Sequence, residues 1–173
     1  YRKDAFRKAG LDPNKPPRNW QEYYDYARRL TIPSEGAFGT ILAAGPQAAY
    51  DWIQFLWAAG GDAVKFDPQT EEWSASFGSE AGVKAMEFYL KLAATKWKDF
   101  SGKPQTGFAI REGEWGYLWQ EGKIGMRMDY LSQQNLGGNY DPNLFGFAPS
   151  PSGPSGHGGS EINCRMMGIF SGA

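Results

Sequence analysis

Hydrophobic residues in the first part of the chain recur at helical spacing and are separated by polar residues. Trp20, Ala27 and Leu30 would share one face of a helix that ends before Pro33. Asn19 stands just before this helix and Glu22 lies three residues later, which is the spacing of a capping box. A shorter helix over residues 5–9 is predicted to end at Gly10, because a glycine followed by apolar Leu11 is typical of a helix C-terminus.

Further along, short apolar runs alternate with longer amphipathic ones. Residues 38–43 form an apolar run between glycines, which favours a buried strand, and further strands are predicted over 73–77, 124–128, 145–149 and 162–170. Helices are predicted over 47–59, after Ser79 with a buried stripe of Val83, Met86, Leu90 and Ala93, over 111–121, and as a short turn over 131–136. Residues 150–160 read as a turn-rich loop. Strands alternating with helices predict an α/β layer, in which ligands bind beside the carboxyl ends of the strands.

Composition and charge exclude several classes of function. The chain of 173 residues carries 18 basic and 19 acidic residues, so no overall positive charge favours nucleic acid or an anionic membrane as a partner. The one cysteine, Cys164, has no partner for an internal disulfide, and the one histidine, His157, does not make a metal cage alone. No glycine-rich phosphate loop is present. Neither a metal nor a cofactor is therefore expected.

The residues that bear catalytic chemistry do not form a recognisable constellation. His157 lies among glycines with nothing nearby in sequence to orient its ring as a general base. Glu112 and Glu114 are two residues apart and would diverge on a helix, which argues against a glycosidase pair in this stretch. We therefore predict no catalytic residues.

Aromatic residues make up 16% of the chain, more than a core of this size requires. Rings at the predicted ends of strands would stack on the apolar faces of sugars while neighbouring polar groups hydrogen-bond the hydroxyls. The predicted ligand-binding residues are Gln47, Tyr50, Trp52, Trp119, Asp129 and Tyr130, with Asp51 and Gln133 as further polar neighbours. The alternative is that aromatics at helical spacing belong to the core, and this is the expectation for Trp20, Phe55, Trp57, Phe88 and Tyr89.

The order of segments resembles a known family, the extracellular solute-binding proteins of bacterial ABC importers, in the branch similar to maltose-binding protein. The resemblance is carried by residues 1–11, 16–22, 55–62, 77–89, 119–126 and 145–151, which together span nearly the whole chain. It implies an α/β, type II periplasmic-binding-protein-like lobe, with helices packed around a short mixed sheet, as a fragment of a two-lobed protein. Residues 1–149 would be the second, C-terminal lobe, and residues 150–173 a loop and strand returning toward the hinge and first lobe.

The resemblance also implies a function. Such a protein binds a carbohydrate in the cleft between its lobes and delivers it to membrane permease subunits, as a periplasmic or extracellular monomer that some members anchor through a lipid. Tyr50 falls where the family places a ring that packs on sugar. After residue 124 the family has an acidic residue, a glycine, a small residue and a tryptophan, whereas Asp129, Tyr130, Leu131 and Ser132 stand here. Tyr130 would replace that tryptophan. A carbohydrate-active enzyme or a carbohydrate-binding module is the alternative function.

Overall fold

The computed structural model describes residues 1–111, 116–128 and 141–160, with Gln47 described by its backbone only. The predictions at Asp129, Tyr130 and Gln133, the helical turn over 131–136 and the strand over 162–170 lie outside these residues. The helices are α1 Lys3–Lys8, α2 Trp20–Leu30, α3 Ala48–Ala58 and α4 Glu80–Ala94, with 3₁₀ turns at Pro33–Glu35, Gly45–Gln47 and Gly116–Leu118. The strands are β1 Thr40–Leu42, β2 Val64–Asp67, β3 Glu72–Ala75, β4 Lys96–Lys98, β5 Pro104–Thr106 and β6 Ala109–Arg111.

The helix ends follow the capping signals in the sequence. At the C-terminus of α1, Gly10 has φ +68° and Leu11 donates its backbone N–H to the carbonyl of Phe6 at 2.8 Å, which is the Schellman arrangement. At the start of α2, the Asn19 side chain accepts the N–H of Glu22 at 2.9 Å. Glu22 reaches back one residue further than a capping box requires and accepts the backbone N–H of Arg18 at 2.8 Å.

Five extended segments are joined by hydrogen bonds into one mixed layer. β1 runs parallel to β6 in the register Thr40↔Ala109, Ile41↔Ile110 and Leu42↔Arg111. On the other side of β1, Phe38 pairs in parallel with Ile124, at the start of the predicted 124–128 strand. Met126 extends this pairing by donating its backbone N–H to the carbonyl of Gly39 at 2.9 Å. Arg2 donates its backbone N–H to the carbonyl of Gly125 at 2.8 Å and forms an antiparallel bridge with Phe145. Tyr1 and Gly146 exchange two hydrogen bonds beside this bridge, so the predicted 145–149 strand pairs at its first two residues.

The core lies between this layer and the helices α2, α3 and α4. Trp20 stacks on Phe88 with ring centroids 4.5 Å apart, and Phe55 packs against both rings. Among the aromatics expected in the core, Phe55, Phe88 and Tyr89 are buried, while Trp20 and Trp57 are half-buried. Loop 150–160 packs on the same body, because Trp20 donates its backbone N–H to the carbonyl of Ser152 at 3.0 Å and Ser155 donates its hydroxyl to the carbonyl of Ala58 at 2.7 Å.

The buried face of α4 differs from the one predicted. Val83, Met86 and Leu90 are exposed, and the helix buries a neighbouring stripe that consists of Gly82, Ala85, Phe88, Tyr89 and Leu92. Two apolar stripes run along this helix, and the one with the larger rings is buried because it meets Trp20 and Phe55. The predicted stripe was therefore wrong.

The structure does not begin a helix at residue 111, as the sequence predicted for 111–121. Arg111 is the last residue of β6, which the sequence analysis did not predict, and Gly116–Leu118 is a 3₁₀ turn. Two antiparallel hairpins lie outside the layer, β2 with β3 and β4 with β5. The expected edge strand over 73–77 corresponds to β3. None of the helices in the described part of the chain is long and apolar enough to cross a bilayer.

Candidate ligand-binding edge of the parallel strands

The carboxyl ends of three parallel segments meet at one edge of the layer. Leu42 at the end of β1 is paired with Arg111 at the end of β6, and residues 123–126 lead to Arg127 on the other side of β1. In open α/β sheets this is the edge beside which ligands bind. We call it the carboxyl edge.

The turn that follows β1 is held from two sides. The Asp51 carboxylate on α3 accepts the backbone N–H of Ala43 at 2.7 Å. The Tyr89 hydroxyl on α4 donates to the carbonyl of the same Ala43 at 2.5 Å. Gly45 then takes φ +66°, a conformation that glycine adopts without a steric penalty, and begins the 3₁₀ turn into α3. The backbone of this turn is therefore fixed, and Asp51 helps to fix it through one carboxylate oxygen.

Below the turn, β1 is anchored to α2 through a buried hydroxyl pair. The Tyr23 Oη and Thr40 Oγ1 atoms are 2.5 Å apart, and both side chains are buried. Burial raises the pKa of Tyr23 to about 12, the charge of Asp51 adds to the rise, and the hydrogen bond with Thr40 opposes it. The phenol therefore stays neutral across the physiological range.

Tyr50 and Trp52 lie on the first turns of α3, directly after the fixed turn, but their environments differ. The Tyr50 side chain is 55% exposed. Trp52 is half-buried against the core, and its ring meets Phe77 edge to face at 6.5 Å. The Trp52 indole N–H is buried and has no hydrogen-bond partner among the described residues. Tyr50 is therefore the ring that this turn presents to solvent.

Trp119 belongs to a separate aromatic and cationic cluster. Its ring lies 5.9 Å from that of Phe145, and the Arg127 guanidinium lies over it at 5.1 Å. The buried Arg2 guanidinium holds the backbone there, donating to the Trp119 carbonyl at 2.9 Å and to the Asp4 carboxylate at 2.6 Å. Burial alone would raise the pKa of Asp4, but the hydrogen bond and charge of Arg2 outweigh it and lower that pKa. Trp119 thus has protein neighbours in this cluster.

The structure brings together three of the six predicted ligand-binding residues. Gln47, described by its backbone, ends the 3₁₀ turn, and Tyr50 and Trp52 follow it at the start of α3. Trp119 lies in the cluster just described. Asp129 and Tyr130 lie outside the described residues. Sequence reasoning missed Arg111 and Arg127 at the carboxyl edge. Arg111 was predicted to begin a helix over 111–121, whereas it ends the strand β6. The alternation of small and apolar residues over 107–111 is the sequence signal that favours this strand.

A mixed α/β layer covered by helices, with a fixed turn and then an exposed ring at the carboxyl edge of its parallel strands, is typical of a lobe of the type II periplasmic-binding-protein fold. Comparison with known proteins agrees with this class. The chain matches the family of bacterial extracellular solute-binding proteins over residues 1–172, and it belongs to that family.

Individual relatives match shorter parts of the chain or match it at lower sequence identity. The chain is 38% identical over 97 residues, 54% of its length, to a probable amino-acid ABC transporter periplasmic-binding protein, y4oP of Sinorhizobium fredii. Over 30 residues, 17% of its length, it is 63% identical to the sn-glycerol-3-phosphate-binding periplasmic protein UgpB of Escherichia coli K12. The structure of maltose-bound MalE3 of T. maritima superposes on 92% of the chain with TM-score 0.62 and 25% identity. The chain spans 21%, 7% and 40% of these proteins, respectively.

Proposed function

We propose that the protein is the substrate-binding component of an ABC importer and that it binds a carbohydrate, with the carboxyl edge forming one wall of the site. The observation that carries this proposal is Tyr50, an exposed ring on the first turn of α3, close behind a turn whose backbone is fixed by Asp51 and Tyr89. Because the backbone is already ordered before binding, stacking of this ring on a sugar costs less entropy. Membership of the solute-binding family and the likeness to a maltose-bound protein support the same ligand class.

The other wall would come from a second lobe. Type II proteins close two lobes about a hinge on their ligand, and a pocket buries roughly 70–90% of a small ligand. We propose that residues 1–149 form the second lobe and that residues 150–173 return toward the hinge and the first lobe. Gln47, Trp52, Trp119, Asp129 and Tyr130 remain proposed ligand contacts beside Tyr50.

Membership of the family supports proposals about location, partners and the fate of the ligand. We propose that the protein acts as a periplasmic or extracellular monomer, anchored through a lipid in its mature form, and that it passes its ligand to permease subunits. We further propose that it releases the ligand unchanged, since its family consists of binding proteins. Incubation of the full-length protein with oligosaccharides tests this last point, because shortened products would mean an enzyme.

Calorimetry on the full-length protein tests the ligand class. Titration with maltose, maltotriose and ribitol is expected to give saturable binding to at least one of them. Tyr50→Ala should weaken that binding about five- to tenfold, as expected for the loss of one ring contact of roughly 1–1.5 kcal/mol. Trp73→Ala removes an equally exposed ring on β3 and should leave the affinity unchanged. Equal affinities for the two variants would contradict the placement of the site at the carboxyl edge.

The exposed Arg111 supports a second class of ligand, one that carries a phosphate or carboxylate group. Arg111 is exposed at the carboxyl edge beside Leu42, and a guanidinium there suits a phosphate or carboxylate group. The short, 63% identical stretch shared with UgpB makes a polyol phosphate the natural candidate. If sn-glycerol 3-phosphate binds, Arg111→Gln should weaken it strongly, whereas the same variant should change binding of a neutral sugar by a much smaller factor.

A further inference from the structure

The hairpin formed by β4 and β5 has a firmly anchored base. The indole N–H of Trp97 on β4 donates to the carbonyl of Gly107 at 3.0 Å, and its ring packs 5.6 Å from that of buried Phe108. The backbone N–H of Gly107 and that of Phe108 donate to the end of α4, at Thr95 and Leu92, each at 2.8 Å. The hairpin is therefore fixed to the core.

The tip of this hairpin is ordered by one carboxylate. Oδ1 of Asp99 accepts the backbone N–H groups of Ser101 and Lys103, both at 3.0 Å, and the Ser101 hydroxyl at 2.6 Å. Its Oδ2 accepts the side-chain amide of Gln105 at 2.8 Å, and Gly102 turns the chain with φ +81°. Asp99 is the only acidic residue in 96–106, and its charge is directed at the loop's own donors.

This ordered tip presents an aromatic ring among cations. Phe100 is fully exposed, and the lysines at 96, 98 and 103 surround it in the sequence of the hairpin. Lys96 donates to the Thr106 hydroxyl, and none of the three lysines forms an ion pair with any described residue. Because the ordered turn keeps the Phe100 ring in water, this ring does not gain the free energy that burial would provide.

We propose that the tip of the β4–β5 hairpin is a binding site for the surface of an anionic lipid bilayer, with Phe100 entering the interface and the three lysines meeting lipid phosphates. The tip is a single turn over residues 99–103 with one exposed ring, whereas a protein partner needs a broad complementary patch of roughly 800 Å² on each side. A fluid interface accepts a single protruding ring, and lysines near it gain about fivefold each in affinity from an anionic surface.

The other exposed aromatic hairpin has the opposite charge. Phe66 and Trp73 pair across β2 and β3, with ring centroids 5.1 Å apart, and both are exposed. The hairpin that carries them has one lysine, Lys65, and the acids Asp62, Asp67, Glu71 and Glu72. It offers comparable apolar surface without the cations, so it provides a matched control.

The position of the tip fits a contact that leaves the candidate ligand site accessible. β5 leads through Gly107 and Phe108 into the amino end of β6, whereas the carboxyl edge lies at its other end, at Arg111. A bilayer contact at the tip would therefore hold the lobe at the membrane without covering the carboxyl edge. This inference does not depend on which ligand the site binds.

Vesicle co-sedimentation of the full-length protein tests the proposal. The protein is produced in the cytosol, so that no lipid is attached, and is mixed with vesicles of phosphatidylglycerol and phosphatidylcholine in equal parts or of phosphatidylcholine alone. We expect binding to the anionic vesicles at low salt and its loss on raising the salt. Phe100→Ala should weaken it about tenfold and Lys98→Gln about fivefold. Trp73→Ala and Lys65→Gln should leave it unchanged.

Several results would overturn the proposal. Equal binding to neutral and anionic vesicles would mean that the lysines have no role. Unchanged binding by Phe100→Ala, or an equal loss with Trp73→Ala, would mean that the tip is not the contact. Competition by soluble polyglutamate that depends on Phe100 as strongly as vesicle binding does would point to an acidic protein partner in place of the bilayer. Unchanged circular dichroism of each variant ensures that a loss of binding is not a loss of folding.

Discussion

The hydroxyl of Tyr89, in the middle of α4, donates a 2.5 Å hydrogen bond to the carbonyl oxygen of Ala43, the first residue after β1. This bond links the buried face of a helix to the turn that leads into α3, the helix on which Tyr50 lies. The core and the candidate site therefore share an element, and a change in the core at this point should reach the ligand.

Replacement of Tyr89 by Phe tests that link. The Ala43 carbonyl would lose a buried donor, so the free energy of unfolding should fall by about 1–3 kcal/mol, as for other buried groups left unsatisfied. Ligand affinity should also fall by about threefold, because a looser turn pays ordering entropy on binding. Urea denaturation and calorimetry measure the two effects. Tyr117→Phe, at an exposed tyrosine, is the control, and a loss of stability with no change in affinity would separate the turn from the site.

Tyr50 and Trp20 should respond to truncation in opposite ways. Tyr50→Ala removes an exposed ring, so stability should change by about 0.5 kcal/mol or less while affinity falls. Trp20→Ala removes the ring stacked on Phe88 at 4.5 Å, so stability should fall by about 3 kcal/mol. Chemical denaturation of each variant, followed by ligand titration of the folded forms, measures both. Unchanged affinity of a folded Tyr50→Ala protein would contradict its role as a ligand contact.

Stability should decline at alkaline pH because of Tyr23. Its folded-state pKa is raised to about 12, foremost by burial, while an unfolded tyrosine titrates near 10. The stabilisation is thus complete below about pH 10 and is lost as the pH rises through about 12, up to about 2–3 kcal/mol. Thermal unfolding from pH 8 to 11.5 should show a steeper decline for the natural protein than for Tyr23→Phe. Parallel curves for the two proteins would assign the decline to other groups.

Gly39, the residue before β1, lies against the backbone of α2. A Cβ atom added there would lie 2.1 Å from the carbonyl oxygen of Ala27, so Gly39→Ala should destabilise the protein by about 3 kcal/mol or more. Gly78→Ala is the matched control, since a Cβ at that position meets no atom within 4 Å. Differential scanning calorimetry compares the two, and similar melting temperatures would mean that α2 moves away from the strand at little cost.

The sequence by itself determined the C-terminus of α1, the start of α2 and the general order of elements. Gly10 with Leu11, and Asn19 with Glu22, act through hydrogen bonds that span at most five residues, so the signal and its effect lie in the same short stretch. The family was also readable from the sequence, because its segments recur in order along the chain, and the match over residues 1–172 confirms it.

Only the tertiary structure decided which surfaces are buried and which groups meet. α4 carries two apolar stripes, and the rings of Trp20 and Phe55, distant in sequence, selected the one that includes Phe88. Pairing with β1 likewise made a strand of 109–111 and brought Arg111 to the carboxyl edge.

Charge divides between the two levels. The lysines at 96, 98 and 103 and the acids at 67, 71 and 72 already form separate runs in the sequence, whereas the strand pairing places each run on its own hairpin. The physical reason is that burial and electrostatic fields depend on distances in space, and the sequence fixes such distances only within a few residues.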